Sequence, residues 1–123
     1  MFFGGEPLSN LPLIRQVVDY AERRCAKVGV QVDFSLTTNA TLLTEATIDW
    51  LDRHRFSIAV SIDGPGPIHD RHRRTVGGKG TYGVVAKKAR LLLERYRSRP
   101  VGARVTLARG HGEVREIHHH LRD

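Results

Sequence analysis

Strand-like and helix-like patterns alternate along this chain, and that alternation restricts its fold more than any single motif does. The apolar run Met1 to Phe3 reads as the end of a buried strand, broken off by Gly4-Gly5. Ser9 or Asn10 then supplies a helix cap, with Pro12 in the first turn. Ile14, Val17, Val18, Ala21, Cys25 and Val28 follow at helical spacing as far as Gly29. Val32, Phe34 and Leu36 alternate as a strand that ends at Asn39-Ala40, and Thr44 caps a helix running through Ile48 and Leu51. Phe56, Ile58, Val60 and Ile62 alternate again, followed by a long loop rich in glycine, proline and basic residues. A third helix follows Thr81 with Tyr82, Val85, Ala89, Leu92 and Tyr96 on one face. VGARVTLA reads as a strand, and a last helix turns Val114, Ile117 and Leu121 inward.

Strands separated by helices of this length run parallel and are joined by right-handed crossovers. The expected fold class is therefore α/β, with parallel β/α repeats of about four strands and four helices. Ligands of such sheets bind beyond the carboxyl ends of the strands. Gly4-Gly5-Glu6-Pro7, Thr38-Asn39, Ser61 and Asp63-Gly64 all fall at those ends, so polar side chains and bare backbone converge on one rim. Each also has a plainer reading: GGEP as a strand-to-helix turn, Asp63-Gly64 as a common turn pair, and His69 and Asp70 as residues that order their loop.

Composition narrows the choices. With 123 residues, 40% hydrophobic and 27% charged, the chain has the material for one domain with a modest core. No apolar stretch approaches the roughly 20 residues of a membrane span and no signal-peptide pattern opens the chain, so a cytoplasmic location without membrane contact is expected. The single cysteine, Cys25, excludes an internal disulfide and cannot alone hold a metal; on its helix stripe it reads as a small hydrophobe. His118, His119 and His120 are consecutive, so on a helix they point about 100° apart and cannot close together on one ion. No metal ligands are expected within the chain. GGKG at 77 to 80 lacks the spacing and the following hydroxyl pattern of a phosphate loop. The net charge of +7 permits a phosphate or acidic partner, but the basic residues match no nucleic-acid-binding motif.

FFGGEPL, FSLTTNATLLT, FSIAVSIDGPGPIHDRHRR and GGKGTY, in this order and spacing, resemble the radical S-adenosylmethionine (SAM) enzymes. The similarity is to the SPASM-type branch that modifies peptides and proteins, including anaerobic sulfatase-maturating enzymes and quinohemoprotein amine dehydrogenase maturases. The resemblance implies a partial (β/α)6 TIM-like barrel, and a 4Fe-4S cluster and SAM as cofactors. It implies reductive cleavage of SAM to a 5'-deoxyadenosyl radical that takes hydrogen from a peptide or protein substrate, with an electron donor such as flavodoxin or ferredoxin. It further implies that Gly4, Gly5 and Glu6 hold the cofactor's amino group, that Pro7 fixes the exit of the chain, and that Thr38 and Asn39 belong to the same rim. Ser61 then holds the ribose with help from Asp63, and Arg73, placed by the HDxxR-like HDRHR, pairs bidentately with the cofactor carboxylate.

Two departures from the family pattern stand out. CxxxCxxC is absent, so residues 1–123 are expected to be the central part of a radical SAM core, without the cluster-binding unit, the last part of the barrel and any auxiliary domain, and inactive alone. Such a partial sheet has open edges and is expected to be marginally stable and prone to associate. The second departure is Ala40 where the family often has glycine; a positive φ there costs about 1 kcal/mol. The competing expectation from another class is a small basic α/β module that binds phosphate or nucleic acid without catalysis.

Overall fold

A computed structural model describes residues 1–108 and 112–123. Its centre is a parallel sheet in the order β1 (Ser35–Thr38), β2 (Ser57–Ser61), β3 (Val101–Arg104). Register is set by Leu36 beside Ile58, Thr38 beside Val60, and Val60 beside Ala103. Around it lie α1 (Leu11–Lys27), α2 (Glu45–Arg53), α3 (Gly66–His72), α4 (Tyr82–Arg95) and α5 (Val114–Arg122), with a 3-10 turn over Pro7–Asn10. No helix among the described residues is long and apolar enough to cross a membrane.

The alternation in β1 and β2 sorts the two faces of the sheet. Leu36, Ile58 and Val60 enter one core with Val18, Ile48, Leu51, Val85 and Leu92 from the helices. Phe56 is the largest fully buried side chain, stacked on Phe34 at 5.3 Å and Phe2 at 6.0 Å between ring centroids. The opposite face carries Ser35, Thr37, Ala59, Ser61, Gly102 and Arg104, small or polar residues that are half-buried or exposed. Apolar burial therefore fixes which face the helices take, and the polar face is left as the inner wall of an open, barrel-like curve. Arg104 bends over that wall from β3 to the ring of Phe3, 4.7 Å away, which joins its two ends.

Three features differ from the sequence expectation. The opening strand shrinks to a parallel bridge of Phe2 with Leu36, and Met1 and Phe3 are exposed; Phe2 N–H donates to the Ser35 carbonyl and its own carbonyl accepts from Thr37. Three strands thus stand where about four were expected. The loop after β2 contains α3, a seven-residue helix whose start is shaped by Pro65 and Pro67. On α1, Ile14 and Val18 are buried while Val17 and Val28 remain exposed. Other local readings hold. Thr44 Oγ1 accepts from Thr47 N at 3.2 Å, Gly29 closes α1 at φ +69°, and Ala40 adopts φ +64° although fully buried.

Candidate functional site

The carboxyl ends of the strands form one rim, and its first part is built by Glu6. Gly4 and Gly5 take φ +90° and +57°, conformations that favour glycine, and a side chain at either would meet nothing within 4 Å. The space above this backbone is open, and neither glycine carbonyl has a hydrogen-bond partner among the described residues. Glu6 next to them ties the rim together. Its Oε1 accepts from Thr38 Oγ1 at 2.7 Å and Leu8 N at 3.1 Å, and its Oε2 accepts from Asn39 N at 2.7 Å. A carboxylate offers about four acceptor positions, so one remains on the Oε2 side. Thr38 is buried and holds the Asn39-Ala40 turn by accepting from Ala40 N, while Asn39 Oδ1 takes both the N–H and the hydroxyl of Thr41. Thr38 and Asn39 therefore act on the rim through Glu6 and the turn. Pro7 opens the 3-10 turn, which carries the chain away from the open carbonyls.

The second part of the rim follows β2. A cleft of about 240 Å³ is lined by Asn39, Thr41, Ser61, His69, Arg73 and neighbouring residues. The structure thus brings together Asn39, Ser61 and Arg73 from three separate segments. Asp63 is buried, and Arg73 pairs with it through Nε at 2.6 Å and Nη2 at 3.1 Å. Thr106 N donates to the same carboxylate at 2.9 Å. Burial pushes the Asp63 pKa up, but the hydrogen bonds from Arg73 and Thr106 and the adjacent guanidinium charge outweigh it, and the carboxyl titrates below its ordinary range. The bidentate edge of Arg73 is therefore given to Asp63. Its Nη1 has no partner among the described residues and can still donate to an anion.

His69 and Asp70 build the frame under this pair. His69 is fully buried between Asp63 N and Thr81 Oγ1, and burial holds its pKa below the usual histidine value, assisted by Arg73 and opposed by Asp63 and Asp70. Asp70 Oδ1 accepts from Thr81 N at 2.8 Å and Tyr82 N at 2.9 Å. It is Asp70, eleven residues upstream, that caps α4, and not the Thr81 hydroxyl, which makes no cap bond there. Gly80 lets the carboxylate approach, since a Cβ there would lie 2.2 Å from Asp70 Oδ2. Gly64, at φ +129°, packs against Ile117 of α5 and admits no side chain.

Sequence reasoning took Thr81 as the helix cap, where its hydroxyl instead links His69 to the Arg73 carbonyl, and missed Thr106, the capping role of Asp70, and Arg104. None of these roles has a local signal, since Thr81, Asp70 and Thr106 act across 8 to 43 residues of chain and Arg104 reaches back to Phe3. Cys25 is half-buried and free, and His120 Nε2 bonds Tyr82 Oη at 2.8 Å. Among the described residues no group of three or more His, Cys, Asp or Glu could hold a metal ion.

The profile of the Radical SAM superfamily matches residues 1–122. A cysteine-type anaerobic sulfatase-maturating enzyme of Clostridium perfringens is 32% identical over 91 residues, which cover 73% of this chain and 24% of that protein. The radical SAM cyclopropyl synthase TigE of Paramaledivibacter caminithermalis is 30% identical over 93 residues, 76% of this chain and 18% of that protein. Among solved structures, native anSMEcpe with bound AdoMet and Kp18Cys peptide superposes with a TM-score of 0.79 at 26% identity, covering 98% of this chain and 33% of that one. The chain thus spans about a quarter of the length of the first relative and less of the second.

Proposed function

The chain belongs to the radical SAM superfamily, and from that premise we propose that it forms the SAM-binding rim of an enzyme that modifies a peptide or protein. The observation that carries this reading is the pair of open Gly4 and Gly5 carbonyls beside Glu6, on the same rim as Ser61 and the Asp63–Arg73 pair. Three acceptors of this kind suit an ammonium group, which has three donors and no acceptor. Ser61, half-buried in the cleft, suits a ribose hydroxyl. Arg73 Nη1 suits the cofactor carboxylate, with one N–H edge in place of the bidentate contact expected from sequence. Asp63 holds that guanidinium in place. Burial of Asp63 and the partial burial of Arg73 reduce screening by water, so the remaining N–H groups interact more strongly than they would on an open surface.

The family uses SAM and a 4Fe-4S cluster; together they supply one-electron cleavage of a sulfonium C–S bond and, from it, hydrogen-atom abstraction. Cys25 is the only cysteine here and lies on α1, so in the proposed enzyme the cluster ligands come from other parts of the protein. This chain's residues bind and orient the cofactor. Support for a peptide or protein substrate comes from relatives whose names describe sulfatase maturation and from the peptide bound in anSMEcpe. A flavodoxin or ferredoxin is the proposed electron donor. Anaerobic equilibrium dialysis of SAM against the complete protein tests the reading. Ser61→Ala and Arg73→Met are expected to weaken binding by about tenfold each, one hydrogen bond's worth. Wild-type affinity in both variants contradicts the assignment.

A further inference from the structure

The roles proposed above leave His69 unassigned, although it is fully buried at the centre of the rim. Its neighbours fix its tautomer. The Asp63 N–H donates to Nδ1 at 3.2 Å, so Nδ1 carries a lone pair and the proton of the neutral ring sits on Nε2. Nε2 then donates to Thr81 Oγ1 at 3.0 Å, and the Thr81 hydroxyl donates to the Arg73 carbonyl at 2.7 Å. One ring thus holds both partners of the Asp63–Arg73 pair, Asp63 by its amide and Arg73 by its carbonyl through Thr81.

We infer that His69 is a positioning residue for this ion pair, and that its protonation loosens the pair and weakens cofactor binding at the rim. A proton on Nδ1 would face the Asp63 N–H, so one of the two groups must turn away and the loop after β2 must shift. The charged and titratable groups around the ring are Asp63 from the loop after β2, Asp70 on α3, Arg73 just after α3, and Tyr82 on α4, whose ring meets it edge-on at 5.9 Å. The two carboxylates favour a cation there, while Arg73 and the burial of the ring oppose it. The balance lies toward the neutral ring at neutral pH.

This inference rests on Arg73 and Asp63 belonging to the SAM site, and the test separates the two claims. SAM affinity is measured by anaerobic equilibrium dialysis of the complete protein from about pH 8 down to about pH 5.5, around the ordinary histidine range. Protection of the Asp63 amide from hydrogen exchange is followed over the same range, corrected for the intrinsic rate. In wild type, affinity is expected to fall on acidification, by less than about tenfold at about pH 5.5 because the ring's pKa lies below its ordinary value, and Asp63 protection to fall with it. His69→Asn keeps an acceptor near Nδ1 that does not titrate but does not reach Thr81; its affinity at about pH 8 is expected to show the same intermediate loss as breaking the Arg73 link, and no acid decline. His69→Leu is expected to weaken binding tenfold or more at every pH. Should His69→Leu not fold, Thr81→Val breaks only the Arg73 link and is expected to give an intermediate loss. An acid decline unchanged in His69→Asn, or Asp63 protection that is constant with pH in wild type, overturns the inference. If wild type binds no SAM at any pH, the cofactor reading fails, and the Asp63 exchange data still decide whether the ring holds the pair.

Discussion

Replacing Glu6 by Gln keeps the size of the side chain and removes one acceptor, which makes it a sharp probe of how the rim is held. Oε1 serves Thr38 Oγ1 and Leu8 N, and Oε2 serves Asn39 N. An amide has one oxygen and one NH2, so either orientation sets the NH2 against a backbone N–H, that of Asn39 or that of Leu8. One charge-assisted bond is lost in a part-buried site, about 2 kcal/mol. At about 1.4 kcal/mol per factor of ten, this corresponds to a roughly thirtyfold rise in local opening. Hydrogen exchange resolved by NMR reads that opening amide by amide. Protection at Asn39 is expected to drop about thirtyfold, with the β2 amides little changed. Protection at both Asn39 and Leu8 within about threefold of wild type would refute the view that Glu6 clips the opening segment to the end of β1.

Gly83, inside α4 with open space above it, should gain about 0.5–1 kcal/mol of stability as Ala, whereas Gly80→Ala drives a Cβ into Asp70 and should lose about 1–3 kcal/mol with the α4 cap; thermal melts of the two variants should move in opposite directions. Asp63 and His69 both have folded pKa values below their ordinary ones, so for each the unfolded chain binds more protons within its own window. The His69 contribution is complete above about pH 6.5 and declines as pH falls below it; that of Asp63 is complete above about pH 3.9 and declines below that. Denaturant titrations across pH should therefore show a first loss of stability beginning near pH 6.5 that is absent in His69→Asn. Arg73→Lys keeps the charge but loses the planar two-point contact with Asp63, and should weaken SAM binding without restoring it at low salt.

What the sequence made legible follows from locality. β2 was readable because Phe56, Ile58, Val60 and Ile62 alternate without a break, and each is buried as that pattern demands. Thr44 was readable as a cap because its partner lies three residues away. The expected turn strain at Ala40 was likewise local, and φ +64° bears it out. The opening strand was overestimated because pairing depends on a partner elsewhere in the chain: only Phe2 finds one, in Leu36. The short α3 escaped notice because its seven residues, two prolines nearby and a buried histidine do not form an apolar stripe. Polar contacts set by tertiary structure were the least legible. That Arg73 turns its bidentate edge to Asp63, and that Asp70 caps α4, depend on where a loop of more than ten residues comes to rest.

The roles assigned to the rim meet in one measurement, the structure of the complete protein with SAM bound. The expected result places the cofactor's amino nitrogen about 3 Å from the Gly4 and Gly5 carbonyl oxygens, a ribose hydroxyl on Ser61, and the carboxylate at Arg73 Nη1. A cofactor whose amino group lies away from both glycine carbonyls would contradict it.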